Sequence, residues 1–113
     1  MNLNEVATVM LELGDSRKFI VARLTDADWH EKIVFRAQRR VLAHLGLVLD
    51  LQDEVEKHQV KVWCIGGGHM LSSVEAKTIS ITGHSQDYRR EPDRAATVAM
   101  LKEAYPGFTI SSD

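Results

Sequence analysis

The segment that most constrains this chain is Cys64-Ile65-Gly66-Gly67-Gly68-His69, which joins one apolar β-like run to another that ends in Thr82-Gly83-His84-Ser85. Three consecutive glycines contribute no side chains to a core. They widen the accessible φ range and raise the entropy cost of ordering the backbone. In a small domain such a run has two physical uses. It forms a turn or bulge that ends a strand, or it lets the backbone approach a ligand and turn successive N–H groups on an anion. The glycines alone favour the turn, and the surrounding residues must decide.

Those surroundings belong to a single domain. The 113 residues match the size of one modest core. Fourteen Lys and Arg stand against sixteen Asp and Glu, so no global field draws the chain to nucleic acid or to an anionic membrane, and any anion site must be local. The one cysteine, Cys64, excludes an intramolecular disulfide and a cysteine-rich zinc site, and it fits a reducing compartment. Glu5 and Glu12 replace the basic start of a signal peptide, and no apolar run reaches transmembrane length. The expectation is a soluble cytoplasmic protein with no nucleic-acid or membrane partner. With no heptad seam, a monomer is expected.

Residues 6–13 have strand composition. Gly14-Asp15-Ser16 supplies a turn and residues 18–24 resume the strand, so the two should pair as a hairpin. Thr25 to Asp28 read as a polar loop, and residues 32–36 as a short extended piece. From Val41 to Lys57 the spacing of Leu45, Val48, Leu49 and Val55 predicts an amphipathic helix whose other face carries Asp50, Asp53, Glu54, Glu56 and Lys57. Residues 60–65 and 78–82 alternate as strands. Pro92 sits at a plausible first helical position, with Ala95, Val98, Ala99 and Leu101 as the apolar face, until Pro106-Gly107 ends the helix. Residues 108–110 form a last strand. The pattern is α+β, a mostly antiparallel or mixed β-sheet with two packed α-helices in one domain spanning residues 1–113.

Five histidines, His30, His44, His58, His69 and His84, supply near-neutral proton carriers. His58 near a helix C-terminus and His30 beside Trp29 read as structural, and His84 as structural or rim. His44, at or near a helix start, and His69, directly after the glycines, are the stronger candidates. No pair has a metal-ligand spacing. Ser85 is not in a GxSxG elbow, and the glycine run lacks the lysine and hydroxyl of a P-loop. Arg36, Arg39 and Arg40, like Arg89, Arg90 and Arg94, form local clusters able to hold a phosphoryl group, although such charges are more often a solvated face.

The order of these elements resembles the phosphohistidine phosphatases related to the Janus and Ocnus proteins. The resemblance runs from about Arg17 to the last strand. It rests on the Cys64-to-Gly68 segment, on Gly83-His84-Ser85 after the next strand, and on Leu101-Lys102-Glu103-Ala104-Tyr105-Pro106 at a helix end. It implies hydrolysis of the P–N bond of phosphohistidine, and of phospholysine, with no metal or other cofactor. His44 is implied as general base, and Lys18 as a phosphoryl ligand that also disfavours protonation of His44. Ser85, Gln86 and Asp87 are implied as the phosphate-binding loop. The partner is then a phosphohistidine-containing protein or a small phosphoramidate. Two positions depart from the animal members: His69 replaces an arginine after Gly66, Gly67 and Gly68, and Ala43 replaces a tyrosine before His44. A non-catalytic phosphate or phosphoprotein-binding domain is the alternative these departures favour. A purely structural or regulatory interaction domain is the third reading.

Overall fold

A computed structural model describes residues 3–38 and 43–113. Six strands, β1 (Val9–Leu11), β2 (Ser16–Thr25), β3 (Glu31–Ala37), β4 (Lys61–Ser73), β5 (Thr78–Thr82) and β6 (Thr109–Ser112), form one curled sheet in the order β1-β3-β2-β4-β5-β6. Two helices, α1 (His44–Val55) and α2 (Arg94–Ala104), pack against it. The inner pairings are antiparallel, while β1 lies parallel to β3 and β6 parallel to β5. The expected α+β class with a mixed sheet and two helices is therefore the observed one.

The expected hairpin between residues 6–13 and 18–24 does not form. Both edges of β2 are taken by longer partners, β3 on one side and β4 along its full length on the other. The three residues of β1 satisfy their backbone groups on the free edge of β3, with Val9 opposite Phe35. The Gly14-Asp15 turn still exists, both residues at positive φ, but it docks on β4: Gly14 N–H donates to Ser72 Oγ at 2.8 Å.

Strand alternation sends Ile20, Ala22 and Leu24 to the α1 side, where they meet Leu47, Val48, Leu51 and Val55. Phe19 and Val21 point the other way, into a core with Phe35, Met70, Ile79, Ile81, Leu101 and Ile110. The apolar stripe of α1 is offset from the expected one. Val48 and Val55 are buried as expected, with His44, Leu47 and Leu51, while Leu45 and Leu49 stay about half exposed. Five apolar residues between positions 45 and 51 admit more than one stripe, and the docking of His44 on β4 selects between them. The expected start at Val41 lies outside the described residues, as do Arg39 and Arg40.

In α2 the buried residues are Arg94, Thr97 and Leu101, with Val98 partly buried, and Ala95 and Ala99 face outward. Asp93, not Pro92, sets the start: its carboxylate accepts the Ala96 N–H at 3.0 Å.

The glycines are not a turn. Gly66, Gly67 and Gly68 lie inside β4, just past a bulge in which Ile65 is the unpaired extra residue between Cys64 and Gly66. Each is required by a close approach. A Cβ at Gly66 would overlap the Glu91 backbone, one at Gly67 would strike the Phe19 carbonyl and crowd the His44 ring, and one at Gly68 would strike the Thr82 carbonyl and the Phe19 ring. The run thins the strand so that a helix end and a loop can close on it from its two faces.

Candidate functional site

The chemistry gathers where α1 begins above β4. His44 is the first residue of α1 and only 6 % exposed, with its ring over Gly67. Its Nε2 lies 2.8 Å from the Gly68 carbonyl oxygen. A carbonyl can only accept, so Nε2 carries the ring proton, and Nδ1 is left as the basic nitrogen of the neutral imidazole. Among the described residues nothing is hydrogen-bonded to Nδ1. Burial is the main influence holding the His44 pKa below its ordinary value. The bond to Gly68 opposes this, the Lys18 and His69 charges push further down, and Asp87 pulls back. The N-terminal end of α1 also disfavours the imidazolium. His44 is thus oriented, buried and neutral near pH 7, which is the state a proton acceptor needs.

Around it opens a cleft of about 440 Å³ lined by Lys18, His44, His69, Gly83, His84 and Gln86. Sheet register explains the grouping. Lys18 on β2 is paired with His69 on β4, which is paired with Thr82 on β5, so the three side chains form one row across the face that carries α1. The His69 ring stands edge-on to His44, with centroids 5.8 Å apart. Gly83, at φ +72°, turns the chain out of β5 beside His69. His84 and Gln86 then form the lip on the β5 side.

The residues of the expected phosphate loop separate. Gln86 lines the cleft, but Ser85 is buried behind it. The Ser85 hydroxyl accepts the Tyr88 N–H at 3.1 Å, and its main chain pairs with Arg89. Asp87 is exposed and is not part of the cleft wall, although its charge reaches His44. The three glycines are packed against other chain segments rather than forming an anion-binding turn: Gly67 N–H is already given to the Arg89 carbonyl at 2.9 Å.

Of the expected basic clusters, Arg36, Arg90 and Arg94 are engaged in ion pairs. Arg36 is buried and pairs with Glu54 at 2.9 Å while donating to the carbonyls of Ala7 and Phe35. Arg90 pairs with Asp113. Arg94, read in the sequence as part of a phosphoryl-holding cluster or a solvated face, is instead buried. Its guanidinium donates from Nε and Nη2 to the two oxygens of the Glu91 carboxylate, which also accepts the Thr97 hydroxyl, and lies 5.3 Å from the Phe19 ring centroid. From there Arg94 donates to the Gly83 carbonyl at 2.8 Å and, at 3.5 Å, to that of Gly67. It thereby braces both sides of His69 from the opposite face of the sheet. The spacing Glu91-x-x-Arg94 is visible in sequence as an i,i+3 pair; its burial follows from Gly66 and is not.

Other candidates fall away from the cleft. The Cys64 thiol is pushed by burial to a pKa of about 11, so it is no nucleophile near pH 7. His30 Nδ1 lies 3.0 Å from the Asp26 carboxylate on the exposed β2–β3 loop. His58 follows α1 in a short 3-10 turn. No helix among the described residues is long and apolar enough to cross a membrane.

Residues 3–109 match the family model of the Janus/Ocnus family. The chain is 30 % identical over 97 residues to the sex-regulated protein janus-A of Drosophila melanogaster, covering 86 % of this chain and 61 % of that protein. It is 29 % identical over 103 residues to janus-A of Drosophila yakuba, covering 91 % of this chain and 65 % of that protein. The chain therefore spans less than two thirds of the length of these relatives. A match over nearly all its residues places the chain in the Janus/Ocnus family.

Proposed function

We propose that this chain is a phosphohistidine phosphatase that hydrolyses the P–N bond without a metal, with His44 as general base. One observation carries the reading: a buried histidine whose Nε2 proton is committed to Gly68, so that its basic Nδ1 is available beside a lysine and a second histidine. Water attacks phosphorus and gives its proton to His44 Nδ1. The P–N bond breaks with its electron pair left on nitrogen. Lys18 and His69 hold the non-bridging oxygens, in keeping with a reaction governed by positioning and charge stabilisation. His69 stands where the animal members carry arginine, so the hold lacks that residue's planar, bidentate fork.

The test is release of inorganic phosphate from a phosphohistidine peptide in the presence of chelator, comparing the intact chain with His44→Ala. Circular dichroism of both reports the fold. Turnover should require His44, with a loss of at least about a hundredfold in the variant. Saturable phosphate binding with no turnover by a folded intact chain sinks the phosphatase reading and leaves a phosphate-binding domain, which the exchange of arginine for His69 favours.

A further inference from the structure

The proposed reaction lacks a proton donor, and the geometry of the cleft identifies a candidate. In an in-line displacement the entering water and the departing nitrogen lie on opposite sides of phosphorus. His44 and His69 cannot take those two places. Their ring centroids are 5.8 Å apart, too close to span two hydrogen bonds of about 2.8 Å each together with the line from entering oxygen through phosphorus to departing nitrogen. His69 therefore shares the side of His44, over the floor of the cleft. The leaving group must point along the row toward β5, and the side chains lining that side are His84 and Gln86. Of these, only His84 carries an imidazole, a side chain suited to passing on a proton.

The main chain around His84 is held on both flanks although its side chain is exposed. Gly83 N–H donates to the Asp113 carboxylate at 2.9 Å, and the Gly83 carbonyl accepts from buried Arg94 at 2.8 Å. Ser85 is fixed by its two backbone bonds with Arg89. Such bracing places an outward-facing imidazole reproducibly at the lip. The charged and titratable groups around it are Lys18 on β2, His69 on β4, His44 on α1, Asp87 in its own loop and the Arg90–Asp113 pair beside Gly83.

Resting on the phosphatase reading, we infer that His84 is the proton donor to the leaving group and thereby selects N-phosphorylated histidine as substrate. Phosphohistidine has a second ring nitrogen, farther from phosphorus than the one that departs. If that nitrogen is bare, cleavage expels an imidazolate, a poor leaving group. If His84 passes its proton there, the electron pair of the breaking P–N bond is left on a neutral imidazole. The proton that His44 takes from water balances the one that His84 gives, and both return through solvent. A rim position suits this task, because the accepting nitrogen lies outside the phosphoryl pocket.

The test compares the intact chain, His84→Ala and His44→Ala on a phosphohistidine peptide and on p-nitrophenyl phosphate, whose leaving group departs as a stable anion and needs no proton. For His84→Ala, kcat on the peptide should fall about a hundredfold with KM little changed, and added imidazole should restore it. Turnover of p-nitrophenyl phosphate should be nearly unaffected by His84→Ala and abolished by His44→Ala. An equal loss on both substrates, or no loss on the peptide, overturns the role of His84 while turnover by the intact chain keeps that of His44. No turnover by the intact chain on either substrate overturns both.

Discussion

Arg36 and Arg94 are both cations sunk in the interior, and each ties a carboxylate to carbonyls distant in sequence. Arg36 joins Glu54 of α1 to the segment that leads into β1. Arg94 joins Glu91 to Gly67 and Gly83, the backbone on either side of the candidate cleft. Their surroundings differ as well. Glu54 keeps 29 % of its side chain in solvent, whereas Glu91 keeps 1 %. One arginine fastens the frame at a place where water can replace it. The other holds a carboxylate sealed behind the site, out of reach of water.

The largest effect is therefore expected at Arg94. Arg94→Met strands a buried carboxylate and should cost about 3–5 kcal/mol of unfolding free energy in urea titration. It should also shift the backbone amides of Gly67, Gly83 and His84 in an NMR spectrum. Converting Glu91 to Gln in the same chain removes the stranded charge and should recover part of the stability, but not the amide positions. A variant with its cleft amides unmoved would end the distinction between the two arginines.

Arg36→Met sharpens the comparison from the other side. Glu54 can rehydrate, so the loss should be smaller, about 1–3 kcal/mol. Signals from the β1 segment and from α1 near Glu54 should move while those of His69 and Gly83 stay. Cleft amides that respond equally to both variants would mean that stability and site geometry are coupled throughout the molecule.

How legible this was in the sequence differs along the same lines. Strand alternation placed β2, β3 and β5 within a residue or two, because a half-buried strand has only one period to obey. Pairing was another matter. The hairpin expected at Gly14 was overruled because β4, read as ending at Ile65, runs on to Ser73 and takes the edge of β2. The glycine run reads as favouring a turn, and its packing against the protein's own backbone was illegible: the Glu91 backbone lies 25 positions away, and no local rule connects it to Gly66. Lys18, His44, His69 and Gln86 do meet on one cleft, through cross-strand register and the docking of α1. Ser85, fixed by a turn that begins at its own backbone, does not join them. Arg94 looked like a surface charge because sequence shows charge and not burial.

The smallest effect is expected at Asp113, the exposed end of the Arg94 network. Its carboxylate accepts Gly83 N–H and pairs with Arg90 and Arg94. The Gly83 N–H first, and the Arg90 side chain second, hold its pKa below the ordinary carboxylate value. A carboxylate depressed in the folded state stabilises it fully above the unfolded value of about 3.9, and that contribution is lost as pH falls through the lower folded value. The Gly83 amide shift should therefore follow an acid titration with its midpoint below about 3.9, and Asp113→Asn should abolish it. At neutral pH the same variant should loosen the turn that carries His84 while leaving the Arg94–Glu91 pair intact, so any change in the cleft would come from the Gly83 N–H and from the Arg90 and Arg94 contacts that Asp113 makes. If the titration persists in the variant, another acid governs the turn, and the bracing of His84 belongs to Arg94 without help from Asp113.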